Sequence, residues 1–189
     1  LITTGGGGMI VTDDPLIADR ARQLTTQAKI HDVEYIHSEV AFNYRLTNVQ
    51  AAIGCAQLEQ IDSYISRKKE IAERYGRAFK GIPGLEPMSV ARSAKSAFWM
   101  YTTRIDPNIF GMSSREVMSR LHSKGIESRP LWQPMHLSPP HKMSTSYSCE
   151  NSKDLYENCL SIPCSVGLSS IDQERVISAI CDAMTEGIR

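Results

Sequence analysis

A chain of 189 residues can bury one full core or two small ones, and its 21 basic and 21 acidic side chains cancel, which removes any general attraction to nucleic acid or a membrane surface. No apolar run approaches the length of a membrane span, and Leu1-Ile2-Thr3-Thr4 lacks the layout of a signal peptide. Five cysteines, an odd number without a tight pairing pattern, suit a reducing cytosol better than a disulfide framework.

Gly5 to Gly8 predicts a tight connection where positive φ is needed. It is not a phosphate loop, because neither G-x-G-x-x-G nor a following Lys-Ser/Thr is present. Met9 to Thr12 reads as a short buried strand. Asp14 and Pro15 open a helix, as N-cap and first helical residue, that runs to about Gln23. Thr25 to Ala41 is polar and aperiodic, carrying His31, Asp32, Glu34, Tyr35 and His37, and is expected to be a long loop.

The polar-aromatic segment Phe42-Asn43-Tyr44-Arg45 leads into a helix at Thr47. Thr47 and Gln50 have the spacing of a capping box. Small residues follow (Ala51, Ala52, Gly54, Cys55, Ala56), so this helix is expected to pack on several sides. An Asn, a Tyr and an Arg at a helix mouth suit an anion, because unpaired N–H groups and positive partial charge collect there. A buried helix with a polar approach loop has the same pattern, and spacing does not separate the two.

The helical pattern continues to about Lys80, with a break expected near Asp62-Ser63. Leu58, Ile61, Ile65, Ile71, Ala72 and Tyr75 form its apolar stripe, while Arg67, Lys68, Lys69, Glu70 and Glu73 are assigned to the wet face. Gly81-Ile-Pro-Gly84 ends it. Ala97 to Ile105 is rich in aromatic and β-favouring residues and predicts a strand. Ser113 and Glu116 form a second capping box, opening a helix that stops before Gly125. Ile126 to Arg129 reads as a short strand. Four prolines between Pro130 and Pro140 then stiffen a loop that presents Arg129, Trp132 and His136, either as a binding edge or as a packed corner around Trp132. Lys153 to Leu160 predicts a helix, Ser161 to Gly167 a turn, and Ser170-Ile-Asp-Gln173 caps a last helix with Val176, Ile177, Ile180 and Met184 inward. Cys159 and Cys164 resemble half of a metal site, but no second pair accompanies them and the histidines lack ligand spacing, so no metal is assigned.

Four motifs in order carry a resemblance to a known family. Phe42-Asn-Tyr-Arg-Leu-Thr-Asn-Val-Gln-Ala-Ala-Ile-Gly54 resembles the signature of the pyridoxal-phosphate (PLP) dependent sugar aminotransferases, the DegT/DnrJ/EryC1/StrS family. Ile2-Thr-Thr-Gly-Gly-Gly-Gly-Met-Ile-Val-Thr-Asp-Asp14 resembles the segment after that family's cofactor-binding lysine. Arg129-Pro-Leu-Trp-Gln-Pro-Met-His136 and Leu160-Ser-Ile-Pro-Cys-Ser165 resemble its C-terminal motifs. Thr25-Thr-Gln-Ala-Lys29 is similar to the subgroup acting on UDP-linked 4-keto-6-deoxy-N-acetylhexosamines.

The resemblance implies an α/β fold: the C-terminal part of a fold-type I PLP-dependent transferase. Residues 1–62 would be the end of the PLP-binding large domain, and 63–189 the linking helix with a small α+β C-terminal domain. It implies PLP as cofactor, a nucleotide-linked 4-keto-6-deoxy sugar as substrate and a glutamate-type amino donor, in a cytoplasmic homodimer with shared active sites serving surface-glycan synthesis. Asn43 would donate its amide N–H groups to the phosphate of the partner subunit's PLP, with Arg45 adding charge and Tyr44 packing. Arg129, Trp132 and His136 would contact the nucleotide-sugar, and the Gly-rich turn would lie beside the cofactor.

None of the lysines at 29, 68, 69, 80, 95, 124, 142 and 153 matches the cofactor-binding lysine, which is expected immediately before Leu1. The chain is therefore expected to be a C-terminal fragment, or a sequence interrupted at a modified lysine. Some relatives carry His in place of that lysine and act as PLP- or PMP-dependent sugar dehydratases, which is the alternative within enzymes. A non-catalytic fragment that dimerises or binds nucleotide-sugar is the alternative outside them.

Overall fold

The computed structural model describes residues 1–31 and 33–187; Asp32, one of the loop residues named above, lies outside them. The chain divides into two compact units, Leu1–Asp62 and Ser63–Arg189. It is mixed α/β, with one small antiparallel sheet.

In the first unit, helix α1 (Pro15–Thr25) starts as its sequence predicts: the Asp14 carboxylate accepts from the Leu16 N–H, and Pro15 occupies the first turn. Helix α2 (Asn48–Leu58) has the expected capping box, with Thr47 and Gln50 satisfying each other's turn. Residues 1–12 form no helix or strand. Their start is tied to α2, where the Thr3 N–H donates to Gln57 Oε1 at 3.1 Å and Gln50 Nε2 donates to Gly6 O at 3.4 Å. Gly7 has φ +117°, and a Cβ there would meet Leu46 Cδ1 at 2.9 Å, so glycine is required.

Two expectations fail in this unit. Met9 to Thr12 is not a buried strand: no described neighbour pairs with it, and Met9 and Val11 are each 87% exposed. β-favouring composition makes a strand only where another edge supplies hydrogen bonds. Likewise α2 is not packed on several sides within its unit, since none of its residues is buried.

The second unit holds the core. Its long helix α3 (Ile61–Phe79) buries Lys68, Ile71, Ala72, Tyr75 and Phe79. The break from α2 falls at Glu59-Gln60, slightly earlier than expected. Four strands follow in the sheet order β1-β2-β4-β3, every pair antiparallel. They are β1 (Leu85–Pro87), β2 (Tyr101–Ile105), β3 (Arg129–Pro130) and β4 (Cys159–Ile162). Registers such as Leu85↔Ile105, Tyr101↔Ile162 and Arg129↔Ser161 define the ladder.

Helices α4 (Pro107–Phe110), α5 (Ser114–Ser123), α6 (Glu150–Asn158) and α7 (Ser170–Gly187) complete the unit. Phe110, Val117 and Leu121 join Ile71, Tyr75 and Phe79 in one apolar cluster with Leu160, Val176 and Ile180. The cluster is stitched by polar bonds: Gln173 Nε2 of α7 donates to Ile71 O at 2.8 Å in a buried contact, and Tyr75 donates its hydroxyl to Pro163 O at 2.8 Å in a partly buried one.

Strand β4 corrects the sequence reading most. Cys159 to Ile162 was expected as the end of a helix and the start of a turn, yet it is an interior strand with all four residues buried. Burial on both faces erases the alternation by which strands are recognised. Strand β1 had no sequence signal, and the strand expected over 126–129 is confined to Arg129–Pro130. Lys68 is the second correction. It is 4% exposed rather than on the wet face, because it lies three residues after Ile65 and four before Ala72, inside the apolar stripe.

Candidate functional site

The first unit holds an open cleft of about 980 Å³. Gly7, Gly8 and Met9 form one wall, Ala18, Arg22 and Thr25 of α1 another, and Asn43, Arg45 and Gln50 a third. The third wall is positioned by backbone. The Phe42 N–H donates to Leu24 O at 2.9 Å, the Tyr44 N–H to Thr25 O at 3.0 Å, and the Gln27 N–H to Phe42 O at 3.0 Å. Phe42 and Tyr44 stack with ring centroids 4.9 Å apart. Backbone and ring packing thus hold the segment while leaving the side chains of Asn43 and Arg45 uncommitted: neither makes a hydrogen bond or ion pair among the described residues.

Charge sharpens the picture. Arg20 is engaged bidentately by Glu39, whose carboxyl it holds below the usual carboxylate range. Arg22 pairs with Asp19 at 2.7 Å. Arg45 has no acidic partner among the described residues, and it stands close in sequence to the capped start of α2. An amide with two N–H donors, an unpaired guanidinium and a glycine wall fit a phosphate group. Of the cleft residues, Asn43 and Arg45 were named as cofactor contacts from sequence and Gly7, Gly8, Thr25 and Gln50 stand in motifs noted there, whereas Ala18 and Arg22 of α1 are additions that no local motif marked.

The second unit carries the other three candidates. Arg129 is exposed and pairs with Glu127 at 3.2 Å, so its charge is partly engaged. Trp132 is 68% exposed rather than a core corner, and it stacks on Trp99 with centroids 5.9 Å apart and planes 18° from parallel. His136 lies half-buried in a single 3-10 turn, Met135–Leu137. Trp99 was missed because the segment around it reads as strand, whereas β2 begins only at Tyr101.

Lys68 has a different environment from the other candidates. Its ammonium donates to Trp99 O at 2.8 Å, to Cys164 O at 2.6 Å and to Cys164 Sγ at 3.2 Å. Three donors meet three acceptors, leaving this amine committed.

Residues 1–181 match the profile of the DegT/DnrJ/EryC1/StrS aminotransferase family. The chain is 35% identical over 184 residues to EpsN of Bacillus subtilis (strain 168), a protein carrying the name of a pyridoxal phosphate-dependent aminotransferase, over 95% of this chain and 47% of that one. It is 35% identical over 181 residues to GDP-perosamine synthase of Caulobacter vibrioides, covering 95% and 48%. Among solved structures, the aminotransferase TlmJ from Streptoalloteichus hindustanus superposes with a TM-score of 0.87 at 26% identity, over 98% of this chain and 50% of that one. The chain thus spans about half the length of the curated relatives it matches.

Proposed function

Because the chain belongs to the DegT/DnrJ/EryC1/StrS aminotransferase family, we propose that it contributes to a PLP-dependent aminotransferase converting a nucleotide-linked 4-keto-6-deoxy sugar to the 4-amino sugar, with a glutamate-type donor. The observation that carries this reading is the cleft in which Asn43 and Arg45 are fixed by backbone bonds and packing yet left without partners. In this reading residues 1–62 end the PLP-binding large domain, and 63–189 supply the linking helix and the small C-terminal domain.

Pyridoxal phosphate is the cofactor of this family, and when bound it carries the amino group from donor to keto carbon while its ring takes up the electrons released by proton removal. Asn43 donates its amide N–H groups to the phosphate and Arg45 supplies the neutralising charge. The phosphate they hold belongs to the cofactor of a partner subunit, so the working unit is a homodimer with shared sites. Gly7 and Gly8 keep the adjoining wall low enough for the ring to approach. On the substrate side His136 donates or accepts a hydrogen bond, Trp132 offers a flat apolar face, and Arg129 a charge for the nucleotide. In this reading the cofactor-binding amine is not among the lysines at 29, 68, 69, 80, 95, 124, 142 and 153, none of which stands at the family's position.

A relative named for spore coat polysaccharide biosynthesis supports a product destined for glycan assembly. Relatives named for GDP-perosamine and for a UDP-linked altrosamine support a nucleotide-sugar substrate while differing in the nucleotide. The test is direct. The full-length protein, loaded with PLP, is given glutamate and either a UDP- or a GDP-linked 4-keto-6-deoxy sugar. Formation of the 4-amino sugar with loss of the cofactor's visible band on glutamate addition is expected. A product that has lost water with no gain of nitrogen indicates the dehydratase instead, and no turnover of either sugar overturns both.

A further inference from the structure

Lys68 Nζ stands 3.2 Å from Cys164 Sγ. It is not a chance surface contact. Lys68 is 4% exposed and held from two further directions by the carbonyls of Trp99 and Cys164. Cys164 is a free thiol and only half-buried, so a molecule the size of water or peroxide can reach its sulfur. The sulfur accepts from the Lys68 amine and itself donates to the Trp99 carbonyl at 3.6 Å. A buried amine pinned against an accessible sulfur is a pre-assembled pair of reactants.

We propose that Lys68 and Cys164 form a peroxide-sensitive covalent staple, a sulfur–nitrogen bond joining α3 to the segment that follows β4. The chemistry needs only hydrogen peroxide. The Cys164 sulfur attacks one peroxide oxygen, the O–O bond breaks, and sulfenic acid and one water result. The Lys68 ammonium passes one proton to water and then, as the neutral amine, displaces the sulfenic hydroxyl: the S–O bond breaks, the S–N bond forms, and a further proton from nitrogen leaves with the hydroxyl as a second water. Counted from the neutral amine and thiol, Lys-NH2 plus Cys-SH plus H2O2 gives Lys-NH-S-Cys plus two H2O. The sulfur–nitrogen pair is oxidised by two electrons, and peroxide is reduced by two. A sulfenic acid ordinarily condenses with whatever nucleophile stands nearest, and here that is the amine.

Closing the staple has a structural consequence. The nitrogen keeps one hydrogen where it offered three, so it can no longer donate to both the Trp99 and Cys164 carbonyls. Trp99 stacks on Trp132, and oxidation would therefore loosen the hold on that exposed aromatic pair.

Treating the purified full-length protein with hydrogen peroxide and mapping its peptides by mass tests the proposal. The expected product is a peptide pair linked through Lys68 and Cys164, lighter than the sum of the two peptides by two hydrogens, with trypsin unable to cut after Lys68. Dithiothreitol should release the link and restore cutting. The Lys68→Arg variant keeps a charged donor but should give no link, and its Cys164 should proceed to sulfinic acid. Recovery of Lys68 and Cys164 peptides only as separate species, or Cys164 linked to another residue, overturns the proposal.

Discussion

At Lys68 the sequence pattern and the structure disagree about solvent, and the disagreement is measurable. Removing its amine takes a charged donor away from the carbonyl of Trp99 and that of Cys164, and hydrogen bonds to charged groups contribute about 1.5–3 kcal/mol. Lys68→Met should therefore lower the unfolding free energy, read from chemical denaturation, by an amount in that range. Lys69→Met, on the exposed neighbour, should stay within about 0.5 kcal/mol of the parent. Equal costs at the two positions would show that the amine stays in water. Asn43 makes the matching prediction for the cleft: Asn43→Ala in the full-length protein should weaken PLP retention by about 1–3 kcal/mol, read from the cofactor's dissociation constant, with thermal stability unchanged. Tyr101 contributes a pH signature. Burial pushes its hydroxyl up to about 12, and that hydroxyl has no hydrogen-bond partner among the described residues. In the unfolded chain a tyrosine ionises near the ordinary value, about 10, while the folded form still holds its proton. Stability is thus intact below pH ~10 and falls as pH rises from there towards 12. Unfolding measured across that window should show a shallower alkaline decline in Tyr101→Phe.

Among elements, those with a chemical signature at their ends were readable and those defined by partners were not. Helix α5 announced itself through Ser113 and Glu116, and both halves of the box are present, with Glu116 held below the usual carboxylate range by bonds from the Ser113 backbone and hydroxyl. Ser113→Ala should cost about 0.5–2 kcal/mol, measured by urea unfolding. Helix α7 was legible too, although its cap is Ser169 with Asp172, one residue earlier than expected. Strand β4 left no trace because its four residues are buried on both sides, and it begins directly where α6 ends. The segment Met9 to Thr12 had the opposite fate, with strand composition but no described edge to complete it. The candidate cleft was partly legible: Asn43, Arg45 and Gly7 stand in recognisable motifs, while Ala18 and Arg22 reach it only through folding. Gly84 is a turn where glycine has no substitute. Its φ is +72°, and a Cβ would stand 2.5 Å from the Phe110 backbone nitrogen. Gly84→Ala should cost about 2–4 kcal/mol from left-handed strain and overpacking together, seen as a lower midpoint in chemical denaturation.

Over the whole molecule, apolar burial is uneven. Ala28 is the one buried hydrophobic residue described in the first unit, where Met9, Ile10, Val11, Leu16 and Ile17 are more than half exposed. Every residue of the large apolar cluster belongs to the second unit. Residues 63–189 expressed alone should consequently unfold cooperatively by calorimetry, and residues 1–62 alone should show no transition. The sheet order β1-β2-β4-β3 carries a further consequence. The strand that β2 and β3 both pair with is the last of the four in sequence. During synthesis the nascent chain must leave the ribosome with those edges open until Ile162 has emerged. Stalled translation products that stop short of Cys159 should accordingly be the ones that recruit chaperones.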